Sequence, residues 1–300
     1  LTTSEEVDNK PITAENVGIP ILRRRRPSNT EVTSASSTRI TKPIYLSNIT
    51  TVLGARHLTN DQILQGHEGW DSEAIRKRTG IENRYWIGED EDVLSLAVKA
   101  TQQLLAKEQL DISEIGALIC STGTPPSMTP SLACRVLNEL SPDKGEVLMQ
   151  AHDVNAACSG YLYALQSAFD FISNAPTKKV IVITAETLSP MVNRDDPKTY
   201  PLFGDAATAS LICCEERPGS IGVKLNRPVL SATGVDPKVL YVPNLGSDEF
   251  IEMEGLTVFK LAVRKMIDML DQACTHRGIT SEELDYIVPH QANERIIEAI

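Results

Sequence analysis

No stretch of about 18 uninterrupted apolar residues occurs in this 300-residue chain, which excludes a membrane-spanning helix. The first residues carry no apolar core of a secretory signal, so the expectation is a protein that is neither secreted nor membrane-inserted. Cysteine is sparse. The six cysteines, at 120, 134, 158, 213, 214 and 274, show no paired metal-ligand spacing, and most sit inside apolar runs. No metal is expected, and a reduced, cytoplasmic protein is. Positive charge is also short: 29 Lys and Arg face 40 Asp and Glu, a net charge of −11. That argues against nucleic acid as a partner and leaves any acidic partner to local basic patches. Aromatic residues make up only 5%, but hydrophobic residues reach 41%, enough to bury one sizeable core or two intimately packed halves.

Residues 1–41 are rich in Ser, Thr, Asn, Glu and Pro and hold the basic run Arg23 to Arg26. They read as a disordered leader or linker, with a docking or nucleic-acid tail as the alternative. From Pro43 onward the pattern becomes regular. Strands are predicted over 44–53, 115–121, 147–154, 179–184, 206–213 and 284–288, and helices over 92–107, 131–140, 159–172, 256–277 and from 292 on. Such alternation predicts a layered α/β architecture. Two halves follow, 42–214 and 215–300. Each contains a strand, then a reactive residue, then a helix.

In the first half the reactive residue is Cys158, within Asp153-Val-Asn-Ala-Ala-Cys158-Ser-Gly160. An apolar strand precedes it; Leu162, Leu165, Phe169 and Ile172 follow at helical spacing. A cysteine at a helix N-terminus is expected to have its thiolate favoured by the unpaired N–H groups and the helix dipole. The small neighbours Ala156, Ala157, Ser159 and Gly160 suggest room for a substrate carbonyl. The alternative is that Cys158 packs as a small buried hydrophobe. In the second half, Tyr286-Ile-Val-Pro-His290-Gln-Ala-Asn293 ends a strand in an imidazole. A cysteine and a distant histidine on separate strand ends suit nucleophilic catalysis.

These segments carry a resemblance. Arg78-Thr-Gly-Ile81 resembles an RTGI signature, and Ser121-Thr-Gly-Thr-Pro with Thr129-Pro-Ser-Leu-Ala-Cys134 resembles a strand and dimer-interface segment. Phe203-Gly-Asp-Ala-Ala resembles FGDGA, Met253 to Lys260 resembles a MxGxxVFK helix start, and His290 to Asn293 is HQAN. In this order the motifs resemble the β-ketoacyl-[acyl-carrier-protein] synthase III family of thiolase-like condensing enzymes.

The resemblance implies the thiolase-like fold: two stacked βαβαβαββ halves in a five-layer αβαβα arrangement, with the C-terminal half incomplete in this sequence. It implies that Cys158 attacks an acyl thioester and that His290 stabilises the enolate formed as malonyl-ACP loses carbon dioxide. No cofactor is implied, since the substrates carry their own phosphopantetheine as acyl-ACP or acyl-CoA. Arg78, Lys260, Asn293 and Arg295 match positions that receive the carrier and its phosphopantetheine; ordinary solvated helix charges are the alternative for Lys260 and Arg295. Partners implied are acyl carrier protein and a second copy of the chain, in a homodimer with the 129–140 segment at its interface. A third catalytic residue, an asparagine in a Gly-Asn-Thr segment, is expected beyond the position where this sequence stops, on a longer form or a separate chain.

Two departures bear on substrate. Ala74 stands where the family places an adenine-stacking Trp, with Trp70 out of register, and residues 195–201 lack the Arg that completes the adenine sandwich. A primer from an acyl carrier protein or an unusual acyl-CoA follows, in specialised fatty-acid or polyketide biosynthesis. An acyltransferase forming an ester or amide, and a non-catalytic carrier-binding subunit, are the alternative functions. Asp205 is expected to hold its loop through hydrogen bonds rather than act in catalysis, and Leu256, Phe259 and Val263 are expected in the core.

Overall fold

The computed structural model describes residues 42–141, 147–234, 236–243 and 247–300; the expected leader and its arginine run lie outside the described residues. The elements in chain order are β1 (Ile44–Leu53), β2 (Arg56–Thr59), α1 (Asn60–Ile63), α2 (Ser72–Thr79), β3 (Asn83–Trp86), α3 (Val93–Glu108), β4 (Ile115–Ser121) and α4 (Leu132–Leu140). They continue with β5 (Gln150–Val154), α5 (Gly160–Asn174), β6 (Lys179–Thr187), β7 (Asp205–Cys213), β8 (Val223–Leu225), β9 (Leu240–Tyr241), β10 (Glu252–Met253), α6 (Gly255–Arg277) and α7 (Glu294–Glu298).

Six strands form one sheet in the order β5-β4-β6-β7-β1-β8. β4 runs parallel to β5 and β6, while β7 is antiparallel to β6 and β1. Parallel neighbours need crossovers, and α4 and α5 supply them. The period-2 rule sorts the strand side chains onto two faces. Leu118, Cys120, Ile181 and Ile183 pack under α3 and α4 with Leu96, Leu104, Leu132 and Val136. Ala117, Ile119, Val180 and Val182 pack under α5 with Ala164, Leu165 and Ile172. Because both faces are covered, β4 and β6 read as continuous apolar runs. β8, past residue 214, extends the sheet at the β1 edge.

The structure differs from the sequence reading in four places. β5 starts at Gln150 rather than Val147. The predicted strand at 284–288 forms no ladder with any described residue; Tyr286 is 89% and Val288 84% exposed, and a strand needs a neighbour to satisfy its backbone. The last helix begins at Glu294, where Asn293 caps it. Finally, Leu256 is 69% exposed and Phe259 and Val263 are only half-buried. Cys274 is the one buried residue of α6, whose contacts with other elements are chiefly with α7 and short 3-10 turns.

The antiparallel β2–β3 pair and α2 went unpredicted. Four of the eight α2 residues, Glu73, Arg76, Lys77 and Arg78, are charged, so no apolar stripe marks the helix. Its ends are nonetheless defined by the Asp71 N-cap and by Gly80, whose φ of 77° suits glycine.

Candidate active site

Val154 pairs with Ser121, so the chain leaves β5 at the C-terminal edge of the parallel strands, the edge where open α/β sheets place their ligands. Residues Ala157–Ser159 form a 3-10 turn and α5 starts at Gly160, so Cys158 sits at a helix N-terminus as expected. Ala157 takes a left-handed φ of 44°, a conformation costing a non-glycine residue on the order of 1–3 kcal/mol. Cys158 is exposed, which sets aside the buried-hydrophobe alternative.

Two expectations are corrected here. The space beside Gly160 is not open to a substrate: a Cβ there would collide with the Ser121 hydroxyl, so glycine lets α5 start against the end of β4. Nor is the Cys158 thiol held low. The protein around the sulfur pushes it up, its own backbone N–H opposes, and the Glu186 carboxylate pushes it up further. The openness of the residue limits the first of these effects.

The surrounding loops are held by carboxylates. Asp153 accepts the Leu132 and Ala133 N–H groups at 2.6 and 2.8 Å, anchoring the α4 start to β5. Asp205 is buried and accepts Ile87 N–H at 2.8 Å and Ser189 N–H at 2.9 Å, the loop-holding role expected of it. Glu186 accepts Gly123 N–H at 2.7 Å and the Thr124 hydroxyl at 2.8 Å. The sequence reading missed Glu186. Its signal was a single acid near the end of an otherwise apolar strand.

His290 is exposed, yet desolvation by the protein around it holds the imidazole below the usual histidine range. Among the described residues no hydrogen bond joins His290 to Cys158. Three of the other singled-out residues do come together, where α7 meets the C-terminus of α2. The Asn293 amide donates to the Arg78 carbonyl at 3.2 Å, and the Arg295 guanidinium donates to the Lys77 carbonyl at 2.9 Å. These contacts satisfy carbonyls at a helix C-terminus. The Arg78 side chain stays exposed. Lys260, exposed on α6, makes no hydrogen bond or ion pair to this group among the described residues.

Beside α2, Trp70 stacks on His67 with ring centroids 4.5 Å apart and meets Tyr200 edge-on at 6.3 Å. One face of the displaced tryptophan is therefore already covered. Among the described residues no group of three His, Cys, Asp or Glu side chains is placed to hold a metal ion, and no helix is long and apolar enough to cross a membrane.

Residues 152–227 match the family described as 3-Oxoacyl-[acyl-carrier-protein (ACP)] synthase III. The β-ketoacyl-[acyl-carrier-protein] synthase III of Neisseria gonorrhoeae is 37% identical over 260 residues, covering 85% of this chain and 78% of the relative. The crystal structure of 3-oxoacyl-[acyl-carrier-protein] synthase III from Aquifex aeolicus superposes with a TM-score of 0.73 at 32% identity, over 85% of this chain and 79% of that one. The priming β-ketosynthase of the R1128 polyketide pathway superposes at 0.75 with 26% identity, over 86% and 77%. With its thiolase-like fold, the chain belongs to the β-ketoacyl-[acyl-carrier-protein] synthase III family of acyltransferases.

Proposed function

We propose that Cys158 accepts an acyl group from a thioester and that the acyl-enzyme condenses with malonyl-ACP, giving a β-ketoacyl thioester and carbon dioxide. The exposed cysteine at the strand-to-helix turn is the observation that carries this reading. In the first step the sulfur bonds the acyl carbon, the donor carbon–sulfur bond breaks, and the carrier thiol leaves. The Cys158 backbone N–H at the start of α5 is suited to stabilise the tetrahedral oxyanion. In the second, the neutral His290 imidazole donates from Nε2 to the enolate oxygen of decarboxylated malonyl-ACP; the carbanion bonds the acyl carbon, the acyl carbon–Sγ bond breaks, and the Cys158 sulfur is released for the next turnover.

Acyl carrier protein is the proposed partner, met by Arg78, Lys260 and Arg295, of which the first and last stand near one another at the α2–α7 junction. Ala74 and the covered face of Trp70 favour a carrier-bound primer over an ordinary acyl-CoA, and hence a specialised fatty-acid or polyketide pathway. A homodimer working in the cytoplasm completes the reading.

Intact-protein mass spectrometry after incubation with acyl-CoAs and acyl-ACPs tests it. A gain of one acyl mass is expected on the wild-type chain and not on Cys158→Ser, with acyl-ACP the better donor. A folded chain that no donor acylates overturns the proposal.

A further inference from the structure

Arg84 on β3 is 5% exposed, and among the described residues no Asp or Glu pairs with it. Burial pushes the guanidinium down to about 10, and its Nε is enclosed without an acceptor. A buried cation without a counter-ion is destabilising, and an apolar side chain of similar volume would fill the space more favourably. What the guanidinium adds is a planar fork that reaches acceptors on separate elements. Nη1 donates to the Leu58 carbonyl of β2 at 3.3 Å. Nη2 donates both to Asn60 Oδ1 at the start of α1 and to the Pro201 carbonyl, the latter at 2.9 Å.

On one side the fork is fixed to the large sheet. Residues 201–205 lead into β7, and β3 with its next residue meets them in three successive bonds. Arg84 donates to Pro201, the Trp86 indole donates to the Phe203 carbonyl at 2.9 Å, and Ile87 N–H donates to the Asp205 carboxylate at 2.8 Å. On the other side the fork orients Asn60, itself buried. The Asn60 amide donates to the Ile81 carbonyl at 2.8 Å and to the Ser72 carbonyl at 3.4 Å, and its N–H donates to the Glu82 carbonyl at 3.1 Å. Asn60 thus holds both the first residue of α2 and the turn just past its Gly80 cap. α7 rests on that same turn: a Cβ on Gly80 would stand 2.6 Å from Glu294 Cβ, while Asn293 and Arg295 bond the last α2 carbonyls.

We propose that Arg84 is a positioning residue for the carrier-binding surface: through Asn60 it fixes the α2–α7 junction, with Arg78 and Arg295, relative to the sheet whose edge carries Cys158. The inference rests on the proposed reading of that junction as the place where acyl carrier protein docks, and deepens it. Arg84 touches no donor. Its effect falls on donors that bring the carrier protein and not on small thioesters.

The test compares wild type, Arg84→Met and Arg84→Lys in Cys158 acylation by an acyl-ACP and by the N-acetylcysteamine thioester of the same acyl group. In both variants the half-saturating acyl-ACP concentration is expected to rise by roughly fivefold or more, with the limiting rate and the reaction of the small thioester unchanged. Arg84→Lys keeps the cation but not the fork, so a Lys variant that matches wild type overturns the proposal, as does an equal loss with both donors. If Arg84→Met does not fold, Arg84→Lys decides alone. If no donor acylates wild type, the acyl-transfer reading falls by itself, and fluorescence anisotropy of labelled holo-ACP decides this inference. Weaker binding by the variants supports it; equal binding, or none by wild type, overturns it.

Discussion

Gly160 shows how one residue type can serve a reason other than the one its neighbourhood suggests. Small residues around a nucleophile suggest space for substrate, but the missing Cβ at Gly160 makes room for Ser121 instead. Gly160→Ala must displace the Ser121 hydroxyl or the start of α5, an overpacking cost of about 1–3 kcal/mol. Urea unfolding should show that loss, together with slower acylation as the Cys158 turn shifts; a variant as stable as wild type would mean that the two elements yield freely. At His290 the prediction concerns pH. Burial lowers its folded pKa, so the unfolded chain takes up the proton first and the folded state is disfavoured as pH falls through that window. The residue is exposed enough to keep this stability effect small. For the proposed condensation, activity should persist below the ordinary histidine value of about 6.5 and fall only as pH drops through the lowered folded value. An acid limb centred at or above 6.5 would contradict the role. Cys158 was legible as a candidate nucleophile from its position between an apolar strand and a helix, and it stands exposed at such a turn, whereas His290 was singled out on a strand that does not form among the described residues. The raised thiol and Glu186 were not legible, because they arise from residues such as Glu186 and Gly123 that sequence spacing does not bring near Cys158.

At the scale of elements, legibility followed burial on two faces. β4, β6 and α5 were foreseen nearly to their ends, because covered strands are continuous apolar runs and α5 keeps a helical stripe. α2 was missed, and residues 284–288 were over-read, for one shared reason: their state is set by what lies alongside. α7 has only five residues, too few to hold a helix alone. Asn293 both caps it and donates to Arg78, while Arg295 ties it to Lys77. Asn293→Ala removes the cap and one tie, a cost of about 1 kcal/mol. Amide exchange in residues 294–298 should accelerate several-fold, while protection in β4 and β6 stays unchanged. Unchanged exchange in 294–298 would show that the Ile296 packing alone secures the helix.

Across the whole molecule the sheet has unequal edges. One ends at β8; the other ends at β5, whose outer side bonds no described strand. An open strand edge invites pairing with another chain unless charge or a covering element blunts it. Nothing of that kind is present among the described residues here: Gln150 and His152 are the polar side chains of β5, Asp153 is engaged by α4, and Leu148 just before the strand is 92% exposed. Met128, in the loop that leads to α4, is fully exposed. An edge whose one acid is taken up by the α4 start, beside large exposed apolar side chains, fits the homodimer proposed above, with β5 and the 129–140 segment facing a second copy. Sedimentation should then give twice the 32.9 kDa of one chain. Leu148→Asp combined with Met128→Asp should yield a monomer whose circular dichroism is unchanged, because neither side chain belongs to the buried core. A wild-type protein that sediments as a single chain at micromolar concentration would remove the dimer from the reading and leave the β5 edge to another partner.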